Sequence, residues 1–190
     1  MLDIKNMETI QEKYDRLRPS LKNGMLILFE GPKPVSDIIK ISDSCEKTHS
    51  GIIVDVWGTF YIFDSNRGGV KPDRLSFRIS EYPDGDFVIK QSLFSQEVID
   101  FEVSKLLKES DFEIKYDFKN GTRSLINRSW IGRLLGINLK IKPDKYHVIC
   151  SVYSRKISEN LELIHVVVLE NSLFFPEDYI RYEKNAITLE

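Results

Sequence analysis

The stretch from Thr48 to Val70, THSGIIVDVWGTFYIFDSNRGGV, decides the fold. Its first half, Ser50 to Trp57, is β-branched and apolar, and Phe60 to Phe63 is again aromatic and β-branched. Gly58-Thr59 between them is typical of a turn. The pattern therefore predicts a hairpin of two antiparallel strands.

A histidine and an aspartate stand at the open end of this hairpin. His49 lies at the start of the first strand and Asp64 at the end of the second. The start of one antiparallel strand lies beside the end of the next, so these side chains are expected to be neighbours. An imidazole beside a carboxylate is half of a catalytic site. Asp64 also has a purely structural interpretation, because an aspartate often caps a turn by local hydrogen bonds.

The composition is that of an ordinary globular chain. A length of 190 residues is most simply one domain, with 42% apolar and 29% charged residues. A net charge of -2 without a basic run argues against nucleic-acid binding. No apolar run reaches the ~20 residues that span a bilayer, and residues 1–20 do not resemble a signal peptide. Two cysteines are too few for a disulfide framework and favour a reducing compartment.

The rest of the chain predicts an α+β protein of short helices and strands. Helices are expected at 5–18, 35–41, 71–76, 95–109 and 125–135, and strands at 25–29, 87–91, 112–118 and 161–169. Pro72 is expected to open the third helix, and Asn120-Gly121 to form a turn before the last. Ser95 is the expected N-cap of the longest helix, and Ile99, Val103, Leu106 and Leu107 form its apolar face.

Cys150 is the candidate nucleophile. It opens the run Cys150 to Ile157, which is compatible with a helix. A thiol at a helix N-terminus has its thiolate stabilised by backbone donors and the helix dipole, and a nearby imidazolium lowers its pKa further. The alternative is that Cys150 is a small buried hydrophobic residue. Local sequence leaves both interpretations open.

Other candidates are weaker. Cys45 lies in a polar loop four residues before His49, which is an awkward separation for two groups that must approach from different elements. His147 and Cys150 form a single H-x-x-C, which is poor support for a metal site without a second ligand pair. His165 lies within an apolar strand and is typical of a core histidine. We therefore expect no metal and no cofactor.

Seven segments follow a recognisable order. They are Gly24 to Phe29, His49-Ser50-Gly51-Ile52-Ile53, Phe60 to Asp64, Gly69-Val70, Tyr116-Asp117-Phe118, Cys150-Ser151-Val152 and Phe175-Pro176-Glu177-Asp178. Over roughly residues 22 to 180 this order resembles the circularly permuted branch of the NlpC-type papain-like superfamily. That branch includes YiiX-like bacterial proteins, the lecithin:retinol acyltransferase group and a poxvirus protein. The chain differs from the family pattern at Ser50, at Val152 and in carrying Asp64 where many relatives carry a glutamate.

The resemblance implies a fold and a site. The fold would be a single permuted papain-like domain over 1–190, an antiparallel sheet or half-barrel packed against helices, with a core at about 22–180 and an N-terminal helix at 5–18. Cys150 would be the nucleophile, His49 the general base and acid, and Asp64 the group that orients the imidazole. The backbone N–H of Cys150 would form part of the oxyanion hole.

The function implied is that of a cysteine hydrolase, amidase- or peptidase-like, or of an acyltransferase working through a thioester. Its substrate would be an amide or ester of a peptide or lipid. The alternative is a catalytically silent structural or binding module, for instance a virion component of a large DNA virus. Protein partners would then bind the N-terminal helix and the tail after Asp178. The expected location is the cytoplasm or the virion.

Overall fold

A computed structural model describes most of the first 141 residues and short pieces beyond. The described residues are 8–30, 33, 36–37, 39–40, 46–66, 69–82, 86–109, 115–116, 118–141, 147–148, 161 and 186–189. The helices are α1 (Ile10–Leu17), α2 (Leu75–Ser80), α3 (Gln96–Glu109), α4 (Phe118–Arg128) and α5 (Trp130–Leu134). The strands are β1 (Leu26–Phe29), β2 (His49–Val56), β3 (Thr59–Asn66), β4 (Gly69–Arg74), β5 (Phe87–Ser92), β6 (Lys115–Tyr116), β7 (His147–Val148) and β8 (Ala186–Leu189).

Six of these strands form one antiparallel sheet, in the order β4-β3-β2-β1-β5-β8. The central strand pairs are β1 with β2, in which Phe29 lies opposite His49, and β2 with β3, in which Gly51 lies opposite Asp64. β6 and β7 form a separate parallel pair. The expected α+β class with an antiparallel sheet is therefore confirmed.

Helices cover both faces of the six-stranded sheet. On one face, α1 and α2 contribute buried side chains that pack against Ile27, Phe29, Ile53 and Ile62. On the other face, α3 packs Ile99, Val103 and Leu106 against Leu26, Leu28, Ile52 and Val54. Alternate side chains of a strand point to opposite faces, so both cores receive side chains from β1, which is apolar throughout, and from Ile52, Ile53 and Val54 of β2.

The predicted hairpin is present, with its turn one residue earlier than expected. Val56 pairs with Thr59, and Trp57 and Gly58 are the turn residues. Both have positive φ, 53° and 79°, as a type I′ turn requires at its two central positions. The Asp55 side chain accepts a hydrogen bond from the Gly58 N–H at 2.8 Å, which stabilises the turn.

Two predictions of local structure were wrong, and of the predicted 112–118 strand the described part is β6, since Phe118 already begins α4. Residues 71–74 form the last part of β4 rather than a helix, and α2 begins only at Leu75. Pro72 is tolerated in β4 because β4 is an edge strand, where a missing N–H can face away from the sheet. Asn120-Gly121 is not a turn, because α4 runs through it, and the break comes at Ser129, which caps α5.

Several predicted elements are confirmed. α1 buries Ile10, Tyr14 and Leu17 and is capped by Thr9, so the described part of the predicted 5–18 helix starts at Ile10. β1, β5 and α3 lie within one or two residues of their predicted bounds. The predicted helix from Cys150 and the predicted segment 174–182 lie outside the described residues, as does the 161–169 strand apart from the buried Leu161.

Candidate functional site

The predicted neighbours His49 and Asp64 are in contact. His49 Nε2 and Asp64 Oδ2 are 2.7 Å apart. His49 is 8% exposed and Asp64 is fully buried. Because Gly51 is the direct partner of Asp64 in the β2–β3 register, His49 is its diagonal neighbour on the same face of the sheet. The hairpin itself therefore brings the pair together.

Gly51 allows β2 and β3 to pack closely at the position of the histidine–aspartate pair. A Cβ at this position would lie 2.6 Å from Ile62 Cγ1 and 3.1 Å from the Phe63 carbonyl oxygen. A side chain at 51 would therefore displace Ile62 or push β2 away from β3, and in the second case it would move His49 away from Asp64. The glycine of the His-Ser-Gly-Ile motif therefore has a structural role in the contact between the two strands.

The hydrogen bond to Asp64 assigns the proton on the neutral imidazole. A carboxylate only accepts hydrogen bonds, so Nε2 must carry the hydrogen and Nδ1 is left as the basic nitrogen. Phe29 packs against the His49 ring edge-to-face, with the ring centroids 4.9 Å apart, and limits rotation of the ring. The tautomer and the orientation of the imidazole are thus both set by contacts.

An arginine lies behind the aspartate. Arg78 of α2 places one guanidinium nitrogen 3.5 Å from Asp64 Oδ2 and 2.6 Å from Asp73 Oδ2, and the other terminal nitrogen 2.8 Å from Glu81 Oε2. Burial by itself lowers the pKa of Arg78, but the surrounding carboxylates outweigh it and raise that pKa above its ordinary value. The carboxylate that faces His49 is therefore part of a larger cluster of charges.

Sequence reasoning missed Arg78. It lies in a segment, LSFRISEY, with no motif and no recognisable spacing to His49 or Asp64. One signal was available: Arg78 and Glu81 are three residues apart, which places them side by side on a helical turn. Nothing in the sequence indicates that α2 packs across the face that carries Asp64.

The structure does not describe the third predicted site residue. Cys150 lies outside the described residues, as do Cys45 and His165, and His147 is described only as part of the backbone of β7. β7 ends two residues before Cys150, and its partner β6 lies against β3 and β4. The catalytic roles of Cys150, His49 and Asp64 therefore stay predictions.

Two further properties concern only the described part of the chain. Within it, no three histidine, cysteine, aspartate or glutamate side chains come together as potential metal ligands. None of the helices described there combines the length and apolar character needed to cross a bilayer.

The fold and the site together define an α+β protein whose six-stranded antiparallel sheet carries a buried histidine–aspartate pair on one face. No family model matches the chain, and no curated protein matches it. Among solved structures the chain is similar to that of the metalloprotein YiiX from Escherichia coli O157:H7, with a TM-score of 0.64 and 16% identity. The match covers 89% of this chain and 96% of that one. The chain thus has a YiiX-like fold.

Proposed function

We propose that the protein is a cysteine hydrolase or acyltransferase of the permuted NlpC-type papain-like class, with Cys150 as nucleophile. The observation that carries the proposal is the buried 2.7 Å contact between His49 Nε2 and Asp64 Oδ2. In a thiol enzyme an imidazole acts as the general base and a carboxylate holds it in the right orientation, and the buried pair matches these two groups. The YiiX-like fold is in keeping with the family resemblance of the motifs.

The tautomer of His49 determines which ring nitrogen acts as the base in the proposed reaction. Nδ1 of His49 takes the proton of the Cys150 thiol, and the imidazolium is stabilised by Asp64. The thiolate attacks the carbonyl carbon of an amide or ester, and the imidazolium gives its proton to the leaving amine or alcohol as the C–N or C–O bond breaks. Water or another acceptor then attacks the thioester while His49 takes its proton. The acyl group leaves on the acceptor, and the proton returns to the Cys150 sulfur.

The chain connection supports this role for Cys150. Val148, the last residue of β7, precedes Cys150 by two residues, and two residues of extended chain span at most ~7 Å. β7 is paired with β6, which lies against the strand that carries Asp64. The chain that leads to Cys150 is thus joined, through β6, to the strand that carries Asp64.

The test is the reactivity of the Cys150 thiol. In a Cys45→Ser background Cys150 is the one remaining cysteine, and its alkylation by iodoacetamide can be followed against pH. We expect a thiolate already formed below about pH 7.5, against about 8.5 for an ordinary thiol. His49→Gln should slow alkylation at pH 7 at least about tenfold, because the thiolate loses its imidazolium partner.

His147→Gln is the matched control, since the proposal gives His147 no role. If His147→Gln slows alkylation and His49→Gln does not, the proposed site is wrong. If Cys150 behaves as an ordinary thiol in every folded variant, the chain is a silent structural or binding module instead. For a reactive thiol, incubation with p-nitrophenyl acetate followed by mass spectrometry should detect an acetyl group on Cys150 that hydroxylamine removes.

A further inference from the structure

The side chain of Arg78 is more buried than those of the two carboxylates that bind it. Its side chain is 13% exposed, while those of Asp73 and Glu81 are 29% and 37% exposed. These two carboxylates hold the guanidinium by its two terminal nitrogens, at 2.6 and 2.8 Å. The same nitrogen that binds Asp73 lies 3.5 Å from the fully buried Asp64. The partly exposed Asp73 and Glu81 thus hold the guanidinium in place beside the buried Asp64.

Stability does not explain this cluster. Buried ion pairs rarely stabilise a fold more than apolar residues of the same volume would, because desolvation opposes their attraction. Moreover, Arg78 Nε is buried, and among the described residues it meets no hydrogen-bond acceptor. An unsatisfied buried donor is itself unfavourable. The cluster is better explained by what it does to Asp64.

We infer that Arg78 is a positioning residue, which holds the Asp64 carboxylate against His49 Nε2, while Asp73 and Glu81 hold its guanidinium in place. This inference rests on the proposed function for its catalytic meaning. The effect on His49 itself does not depend on any catalysis. Asp73 and Glu81 bind the two terminal nitrogens of the planar guanidinium and so fix its position beside Asp64, which they cannot do in the same way for a lysine ammonium.

The charged and titratable groups linked to His49 through Asp64 and Arg78 come from several elements. Among the described residues, β3 contributes Asp64, β4 contributes Asp73, and α2 with the residues after it contributes Arg78, Glu81 and Tyr82; β1 contributes only the uncharged Phe29. Because both atoms contact Asp64 Oδ2, at 2.7 and 3.5 Å, the guanidinium nitrogen lies at most about 6.2 Å from His49 Nε2. At that distance one charge has a measurable effect on the imidazole.

The experiment is an NMR titration of His49, assigned with His147→Gln and His165→Gln, in the wild type and in two Arg78 variants. Arg78→Gln removes the cation and leaves three carboxylates, so the pKa of His49 should rise by about one unit. Arg78→Lys keeps the charge and so should leave that pKa within about 0.3 unit. The lysine cannot reproduce the fork, so the Nε2 proton of His49 should exchange with water at least about tenfold faster.

Arg74→Gln is the matched control, because Arg74 is an exposed arginine four residues away and its loss removes the same charge. It should change neither the pKa of His49 nor the exchange of the Nε2 proton. An unchanged pKa in folded Arg78→Gln overturns the inference. If that variant does not fold, Arg78→Lys decides the matter, and unchanged proton exchange in it overturns the inference.

The outcomes separate this inference from the proposed function. If Cys150 is unreactive but the Arg78 variants change His49 as expected, the proposed function fails and the role of Arg78 stands. If Cys150 is reactive and Arg78→Gln changes neither the pKa of His49 nor the pH dependence of alkylation, the positioning role fails alone.

Discussion

At the scale of single residues, the least expected feature is Trp57 at the tip of the β2–β3 hairpin. It is fully exposed and has a φ of 53°. Residues other than glycine, asparagine and aspartate rarely adopt this backbone conformation. The chain thus places one of its two tryptophans in water and in an unfavourable backbone conformation. Neither local propensity nor burial favours tryptophan at this position.

Trp57→Asn is therefore expected to stabilise the fold. Asn-Gly is the preferred pair for a type I′ turn, and relief of the unfavourable φ should raise the free energy of unfolding by about 0.5 to 1 kcal/mol. Urea denaturation measures the change. Trp57→Ala is the control, since it removes the indole without favouring positive φ. A Trp57→Asn variant no more stable than Trp57→Ala would contradict the explanation.

At the scale of elements, α1 is joined to the sheet by charge as well as by packing. Asp86, just before β5, accepts from Lys13 of α1 at 2.8 Å and from Lys47, just before β2, at 3.0 Å. Burial raises the pKa of Asp86, but the hydrogen bonds and charges of the two lysines outweigh it, and the net pKa is lowered. One carboxylate thus links three separate segments.

This predicts a pH dependence with a definite sign. A carboxyl whose pKa is lowered by folding stabilises the native state above its unfolded pKa, near 4, and loses that contribution as the pH falls through its folded value. Asp86→Asn should lower the free energy of unfolding at pH 7 and much less at pH 2. Because the Asp86 side chain is 58% exposed, solvent screening should keep the effect below about 1 kcal/mol.

Urea denaturation at several pH values measures this effect. Asp15→Asn is the control on the exposed side of α1, where the aspartate accepts only from Gln11 within the described part of the chain. If Asp86→Asn parallels the wild type from pH 7 to pH 2, the link through Asp86 does not contribute to stability.

At the scale of the whole molecule, the sheet is completed by residues far apart in the chain. β8, close to residue 190, pairs with β5 and forms one edge of the sheet. Lys90 of β5 is buried, and its ammonium donates to Thr188 Oγ1 at 2.7 Å. The tail, which the sequence suggested as a partner-binding addition, therefore contributes residues 186–189 to the sheet.

Removal of residues 186–190 should destabilise the fold and expose β5. The loss of a strand ladder and of a partner of the buried Lys90 should lower the free energy of unfolding by about 2 kcal/mol or more. The uncovered edge of β5 should also promote self-association.

Urea denaturation and light scattering measure the two effects. Thr188→Val, which removes only the hydroxyl acceptor, should lower stability without self-association. A truncated chain that stays monodisperse and equally stable would contradict the role of β8.

What the sequence by itself determined is local. The β2–β3 hairpin was predictable because its strands are adjacent in the chain and its alternation is strong, and the proximity of His49 and Asp64 followed from antiparallel pairing. α3 was predictable for a similar reason, since its apolar face repeats at helical spacing within one segment. In each case the deciding contacts lie within about 20 residues.

What only the tertiary structure decided depends on contacts between distant segments. Pro72 indicated a helix start, but pairing of β4 with β3 overrode that local preference. β8 is a strand because β5 offers it an edge, and Arg78 faces Asp64 because α2 packs on that face of the sheet. Periodicity carries no information about which face or edge an element will meet. The histidine–aspartate pair is therefore predictable from the sequence, while the position of Arg78 beside it depends on the packing of distant segments.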